Sequence, residues 1–220
     1  MFRGCTVHGL RVLERGQSRW HMLKLDIGSG GKSSDSSFIG VDAFTDADVN
    51  ALMWNLPYKD GEVDVIYCDN ALEHVSKFDV VPTLREWKRV LKIGGKLEII
   101  VPDLEWACAW WLKHQQTDWS MDILYGNQRH EGEFHKTGFT IDIMRQYLEV
   151  CGGFEIIGIG YGGTTVADIM NDTFPALGPE DGYPENFIRV SQRCFDFEIV
   201  RVDDGSVPQM AEGAGSSPVQ

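Results

Sequence analysis

A short apolar run, Met22 to Ile27, is stopped dead by Gly28-Ser29-Gly30-Gly31, and this junction constrains the chain more than any other segment. Six residues are too few for a buried helix, so the run reads as a buried strand that ends in a glycine turn. Phe38–Asp42 is a second short strand closed by a carboxylate, Val63–Cys68 a third, and Lys96–Val101 a fourth. A weaker strand is expected over Val49–Trp54. Helices separate the later strands. In residues 79–92, Val80, Leu84, Trp87 and Leu91 recur at helical spacing, with Arg85, Lys88, Arg89 and Lys92 on the other faces. Leu104 to Gln116 is a second helix, rich in tryptophan. Thr140 caps a third, which runs to about Val150 and closes at Cys151-Gly152-Gly153. Phe154–Ile159 then returns as a strand, and Phe187–Val190 with Phe195–Val202 reads as a final strand pair. Strands alternating with helices predict an α/β domain with a mostly parallel sheet covered on both faces, and the last two strands suit an antiparallel edge.

One such domain is expected over residues 1–203, with 1–20 as a lead-in and 204–220 as a small, polar tail that cannot bury enough apolar surface to order. Residues 161–185, rich in Gly, Pro and Asp, read as a long loop of the kind that is usually functional or mobile. No apolar run reaches the roughly 18 residues of a membrane span, and Met1–Trp20 carries four arginines and no apolar stretch, unlike a signal peptide. The five cysteines are scattered without a CxxC pair, which argues against disulfides or structural zinc and fits a cytoplasmic protein. The net charge of −13, with no basic patch to offset it, disfavours a nucleic-acid partner.

The chemistry centres on the glycine turn. In a doubly wound sheet, ligands bind beyond the carboxyl ends of the strands, and small residues let a cofactor approach the backbone. Asp26 can meet an amino group there, and Asp42, one strand on, can accept hydrogen bonds from both hydroxyls of a ribose. A nicotinamide or flavin dinucleotide would require G-x-G-x-x-G, but Ser33 occupies the third glycine position. The segment Gly31–Ser37 is also too short and polar for the helix whose N-terminus should hold a pyrophosphate. A cofactor without a pyrophosphate suffers less from that loss.

The succession LDIGSGG, GVDA, LPYKDGEVDVIYCDNALEHV and LREWKRVLKIGGKLEIIVPD resembles the class I S-adenosylmethionine-dependent methyltransferases, over roughly Leu23 to Phe154. Within them it is similar to short methyltransferases associated with surface-polysaccharide gene clusters; YGNQRH and FHKTGFT, at 125–130 and 134–140, resemble that subgroup's own motif. The resemblance implies a Rossmann-like, mostly parallel seven-stranded sheet and S-adenosyl-L-methionine as cofactor. Asp26, Gly28, Ser29 and Gly30 would line its methionine part, Asp42 would hold the ribose, and Asp69 and Asn70 would face the sulfonium. The family's acid for the adenine amino group has no counterpart in Asn50–Asn55, so Asn50 or a backbone carbonyl would have to replace it.

A hydroxyl acceptor benefits from a base within hydrogen-bond reach. The candidates are His74, His130 and His135, with His135 preferred as base or acceptor-binding residue; in many relatives the histidine at the position of His74 is structural. His130 and His135 with Glu131 and Glu133 match no standard metal spacing, so no metal is expected from that loop. Trp106 and Trp110, four apart on one helix, suit either core packing or a sugar platform, packing being the commoner. The expected function is O-methylation of a sugar or glycan precursor in polysaccharide biosynthesis. The alternatives are a methyltransferase for another small molecule and a non-catalytic S-adenosylmethionine-binding scaffold.

Overall fold

A computed structural model of the protein describes residues 22–114, 117–162, 166–171 and 194–203. Six strands form one sheet in the order β2-β1-β3-β4-β6-β5. They are β1 (Lys24–Ile27), β2 (Ile39–Val41), β3 (Val63–Asp69), β4 (Leu91–Pro102), β5 (Phe154–Gly162) and β6 (Cys194–Arg201). β2, β1, β3 and β4 pair in parallel, while β6 runs antiparallel to both β4 and β5. The helices are α1 (Val80–Val90), α2 (Leu104–His114), α3 (Thr117–Tyr125), α4 (Ile141–Cys151) and α5 (Val166–Asn171). The expected Rossmann-like α/β fold is present, with six strands among the described residues rather than seven. The weak strand proposed near Val49 shrinks to a single bridge between Val41 and Val49. The proposed loop 161–185 contains the end of β5 and α5. The lead-in 1–20, the strand Phe187–Val190 and the tail 204–220 lie outside the described residues.

Local signals fix the element ends. Thr140 accepts a hydrogen bond from the Ile143 amide (3.2 Å) and so caps α4, which ends at Gly152 with φ 66°. Asp103 does the same for α2, its Oδ1 accepting from the amides of Glu105 and Trp106. In α1, Val80, Leu84, Trp87 and Val90 are buried against the sheet, and Met144, Leu148 and Cys151 of α4 join the same core. The sheet supplies Leu25, Ile27, Ile66, Cys68, Leu97, Ile99, Phe197 and Ile199 to it, all from one face. Trp106 and Trp110 are fully buried and stacked, ring centroids 5.7 Å apart, in a second small core formed with Ile123 and Ile169. They are therefore packing residues, while Trp111 is 43% exposed.

The other face of the sheet is acidic along its middle. Its central row, in register across four strands, is Asp26, Tyr67, Glu98 and Glu198, with Asp69 and Asp196 one step along. All of these are half-buried or exposed. Handedness explains the asymmetry. The crossovers β3→β4 and β4→β5 advance in one direction, so right-handed connections place α1 and α4 on one face. The connection β1→β2 advances the opposite way and would cover the other face, but residues 28–38 contain no helix. The loop instead folds onto Gly40, where a Cβ would lie 2.7 Å from both Gly31 O and Ser33 N.

Carboxylates crowd one another on this face. Burial, then Asp196, Glu198 and Asp69, raise the Glu98 carboxyl; burial, then Glu198 and Asp69, raise that of Asp196. A carboxyl raised on folding binds protons more readily in the native state, so its ionisation costs stability as pH rises through its folded value. Glu98→Gln is expected to raise the urea midpoint at pH ~7 and to shrink the stability gained on mild acidification to pH ~5. Paired urea titrations of the two proteins check this; an unchanged difference between the two pH values would show that Glu98 does not titrate in that window.

Candidate active site

The cleft opens where β1, β2 and β3 end together. Gly28, at φ 75°, donates its amide to Val41 O (2.8 Å), which carries the β1–β2 pairing one step past the strand. A Cβ on Gly28 would stand 2.2 Å from Ala71 Cβ, so the glycine is required both by its left-handed backbone and by the methyl opposite it. Gly30, at φ 64°, has open space where its side chain would be. Its amide donates to Asp42 Oδ2 (3.0 Å), and Asp42 Oδ1 accepts from the amides of Phe44 (2.7 Å) and Thr45 (3.1 Å). A carboxylate has about four acceptor sites, so three backbone donors hold Asp42 rigid and leave room for one more donor before any must be exchanged.

Of the residues singled out in the sequence, Gly28, Gly30, Asp42, Asn70, His74 and His130 line this cleft. Ser29 lies in the corner but turns inward, its hydroxyl donating to Gly31 O. Asp26 belongs to the acidic sheet face, in register with Gly40 and Tyr67. Asp69 accepts from Tyr67 Oη (3.1 Å) and Asn70 Nδ2 (2.7 Å), which occupies both of its oxygens. Asn70 itself adopts φ 47°, a backbone region that asparagine tolerates better than most residues, and its amide is tied to Ile100 O. Asn50 is committed elsewhere: its Nδ2 donates to Thr45 O (2.6 Å) and Asp42 O (3.3 Å), pinning the turn that carries Asp42.

The walls were not foreseen in the sequence. Phe44, Leu52 and Trp54 face the cleft while remaining 58%, 39% and 44% exposed. The opposite rim is the 3-10 turn Glu131–Glu133 with its flanks, where His130, Glu133 and Lys136 line the opening. Gly132 sits directly on the Phe44 ring, so a Cβ there would fall 2.7 Å from it. Phe44 and Leu52 were legible only as exposed apolar residues near a predicted strand end, a signal too common to be singled out.

His135 lies behind His74 rather than in the main cleft. The Lys136 and Thr137 amides both donate to Glu73 O, and Thr137 Oγ1 donates to Val75 O, so this segment runs along the turn Leu72–His74. The two imidazoles meet edge to face with centroids 4.9 Å apart. His74 Nδ1 is 3.2 Å from Phe134 O and His135 Nδ1 is 2.8 Å from Ile123 O. Burial lowers the basicity of both rings, keeping them neutral near pH 7. Glu73, 2% exposed, is raised to about 8 by burial, and neither of its oxygens has a hydrogen-bond partner.

The two cleft glycines separate backbone strain from collision. Gly28→Ala is expected to cost about 2–5 kcal/mol, because a left-handed alanine and an overpacked methyl act together. Gly30→Ala should cost only about 1–2 kcal/mol, from the backbone alone. Denaturant unfolding measures both; equal losses would mean that Ala71 yields freely.

Comparison with known proteins places this geometry. Residues 41–99 match the family model described as Methyltransferase domain. No curated protein matches the chain in sequence. The fold is similar to that of the YcgJ protein from Bacillus subtilis, at 16% identity and TM-score 0.52 over 83% of this chain and 92% of that one. A S-adenosylmethionine-dependent methyltransferase from Methanosarcina mazei is 17% identical with TM-score 0.53, over 81% of this chain and 92% of that one. The 1,6-didemethyltoxoflavin-N1-methyltransferase of Burkholderia thailandensis, solved with its substrate and S-adenosylhomocysteine, is 11% identical with TM-score 0.50, over 82% and 71%. Among the described residues no helix is long and apolar enough to cross a membrane. Parallel strands ending at a glycine corner, a carboxylate one strand on and an antiparallel closing strand together make this the Rossmann-like fold of the S-adenosylmethionine-dependent methyltransferases.

Proposed function

We propose that the protein transfers the methyl group of S-adenosyl-L-methionine to a hydroxyl of a sugar or glycan precursor. The observation that carries the cofactor is the floor of the cleft: two glycines without side chains, Gly28 and Gly30, with Asp42 fixed one strand away. Bound there, S-adenosylmethionine supplies an electrophilic methyl group on a positively charged sulfur. The remaining work falls to the chain. Asp42 offers its last acceptor site to a ribose hydroxyl, and an added ribose donor displaces one of the three amides. Phe44, Leu52 and Trp54 give the adenine an apolar bed, and with Asn50 committed to the turn the adenine amino group meets a backbone carbonyl.

The acceptor enters from the side of Asn70 and His74. His74 faces it, and His135, packed edge to face behind, acts as a positioning residue. The segment 130–133, seated on Phe44, narrows the opening and limits water, which favours in-line transfer by orientation. The choice of a sugar rests on the resemblance to methyltransferases of polysaccharide gene clusters, an argument from kinship rather than from geometry.

Calorimetry with S-adenosylmethionine, S-adenosylhomocysteine and NAD tests the cofactor; binding of the first two and not the third is expected. Asp42→Ala should weaken S-adenosylhomocysteine at least severalfold, by roughly the 1.5–3 kcal/mol of a hydrogen bond to a charged group. Unchanged affinity removes Asp42 from the site. A panel of sugars and nucleotide sugars, read by S-adenosylhomocysteine release, tests the acceptor; tight cofactor binding with no turnover on the panel would favour a non-catalytic or differently specific protein.

A further inference from the structure

The cluster behind the acceptor side of the cleft is composed of Glu73, His74 and His135. One ligand-capable atom from each lies within 4.8 Å of the other two. Three features of its surroundings are unusual for a structural cluster. First, Glu73 is almost completely buried, yet both of its carboxylate oxygens lack hydrogen bonds, and the nearest basic group is His135 Nε2 at 3.9 Å. A buried carboxyl group left without hydrogen-bond partners is costly even when protonated, unless something else satisfies it. Second, His135 turns Nδ1 toward the Ile123 carbonyl, while His74 Nδ1 is held by the Phe134 carbonyl. An Nδ1–H donated to a carbonyl leaves Nε2 as the lone-pair nitrogen and fixes the ring, the outer support that metal-binding histidines typically have. Third, the cluster joins two cavities: His74 opens on the main cleft, while Glu73 and His135 line a smaller one behind it.

We infer that Glu73, His74 and His135 form a binding site for a divalent first-row transition ion, held at the acceptor end of the cleft. Two imidazoles with one carboxylate suit zinc, manganese, iron or cobalt better than calcium or magnesium, which take mostly oxygen ligands. Ligands about 2.1 Å from a common tetrahedral ion are about 3.4 Å apart, so the widest pair of the trio must close by up to about 1.4 Å on binding. Three protein ligands leave positions open, and His74 directs those positions toward the cleft. This placement rests on the methyltransferase reading for its purpose. An acceptor hydroxyl bound at an open position becomes more acidic. Its proton passes to water, the oxygen attacks the methyl carbon, and the carbon–sulfur bond breaks with its electron pair going to sulfur. The products are the methyl ether, S-adenosylhomocysteine and one proton. The sequence could not suggest this site from the loop around His130, because the ligands come from two segments that meet only in the fold.

The test is titration of the full, chelator-treated chain with Co2+ alone, read by its visible d–d absorption, with S-adenosylhomocysteine calorimetry on the same preparations. The expected result is one Co2+ per chain, with affinity lowered at least tenfold in Glu73→Gln and in His135→Ala while both variants still bind S-adenosylhomocysteine. Retention of that ligand shows that the variants are folded. A wild type that binds S-adenosylhomocysteine but takes up no Co2+, Zn2+ or Mn2+ overturns the metal site and leaves the methyltransferase reading standing. Co2+ binding that survives both substitutions also overturns it. Metal binding that depends on Glu73 and His135 in a chain with no affinity for S-adenosylhomocysteine supports the site and sinks the methyltransferase instead.

Discussion

The contact between Gly28 and the methyl of Ala71 sets the geometry of everything above it. It locks the loop after β1 against the loop after β3, two segments that share no hydrogen bond in the glycine corner itself. Because the hydrogen of Gly28 occupies the space a side chain would need, Asn70 and His74 are carried in close beside Gly30 and Asp42. The cleft floor is thus backbone and methyl rather than side chains, and a ligand resting on it meets fixed amides and a carboxylate already bound by three of them. Preorganised dipoles of this kind need little reordering when a ligand arrives.

The acidic sheet face adjoins the same shortened corner, where residues 28–38 form no helix. A helix after the glycines would have packed over Tyr67 and Glu98, and a helix N-terminus would have pointed into the cleft. The chain has neither, so the corner is unsuited to a pyrophosphate, and the face it would have covered carries carboxylates rather than valines. The one missing helix therefore bears on both the corner's poor fit for a pyrophosphate and the polarity of this sheet face.

Much of this was legible in the sequence, and the parts that were not have physical reasons. The helix α4 could be read almost to the residue, because Thr140 and Gly152 are strong local signals at its two ends. The glycine corner and Asp42 were also readable, since backbone that must turn sharply selects glycine at once. Alternation of strands and helices does not say which crossover lacks its helix; strand order combined with handedness picks out β1→β2. The antiparallel strand was placed at the edge as one of a terminal pair, whereas β6 sits inside the sheet between β4 and β5. Non-local pairing leaves no trace in a window of ten residues. His135 was singled out as a loop histidine, but its neighbour Glu73 was not, because a glutamate in a short polar turn gives no hint that the chain will bury it some sixty residues before its partner arrives.

The position of β6 also orders events in time. Among the described residues β5 hydrogen-bonds to β6 alone, so a ribosome delivers Phe154–Gly162 before the strand that will receive it exists. Until Cys194–Arg201 emerges, β4 and β5 both present raw edges in the nascent polypeptide. Those edges are open to chance pairing with neighbouring chains. Assembly of this sheet is therefore a closing rather than a growing process, and the interval before closure is when chaperones would matter most.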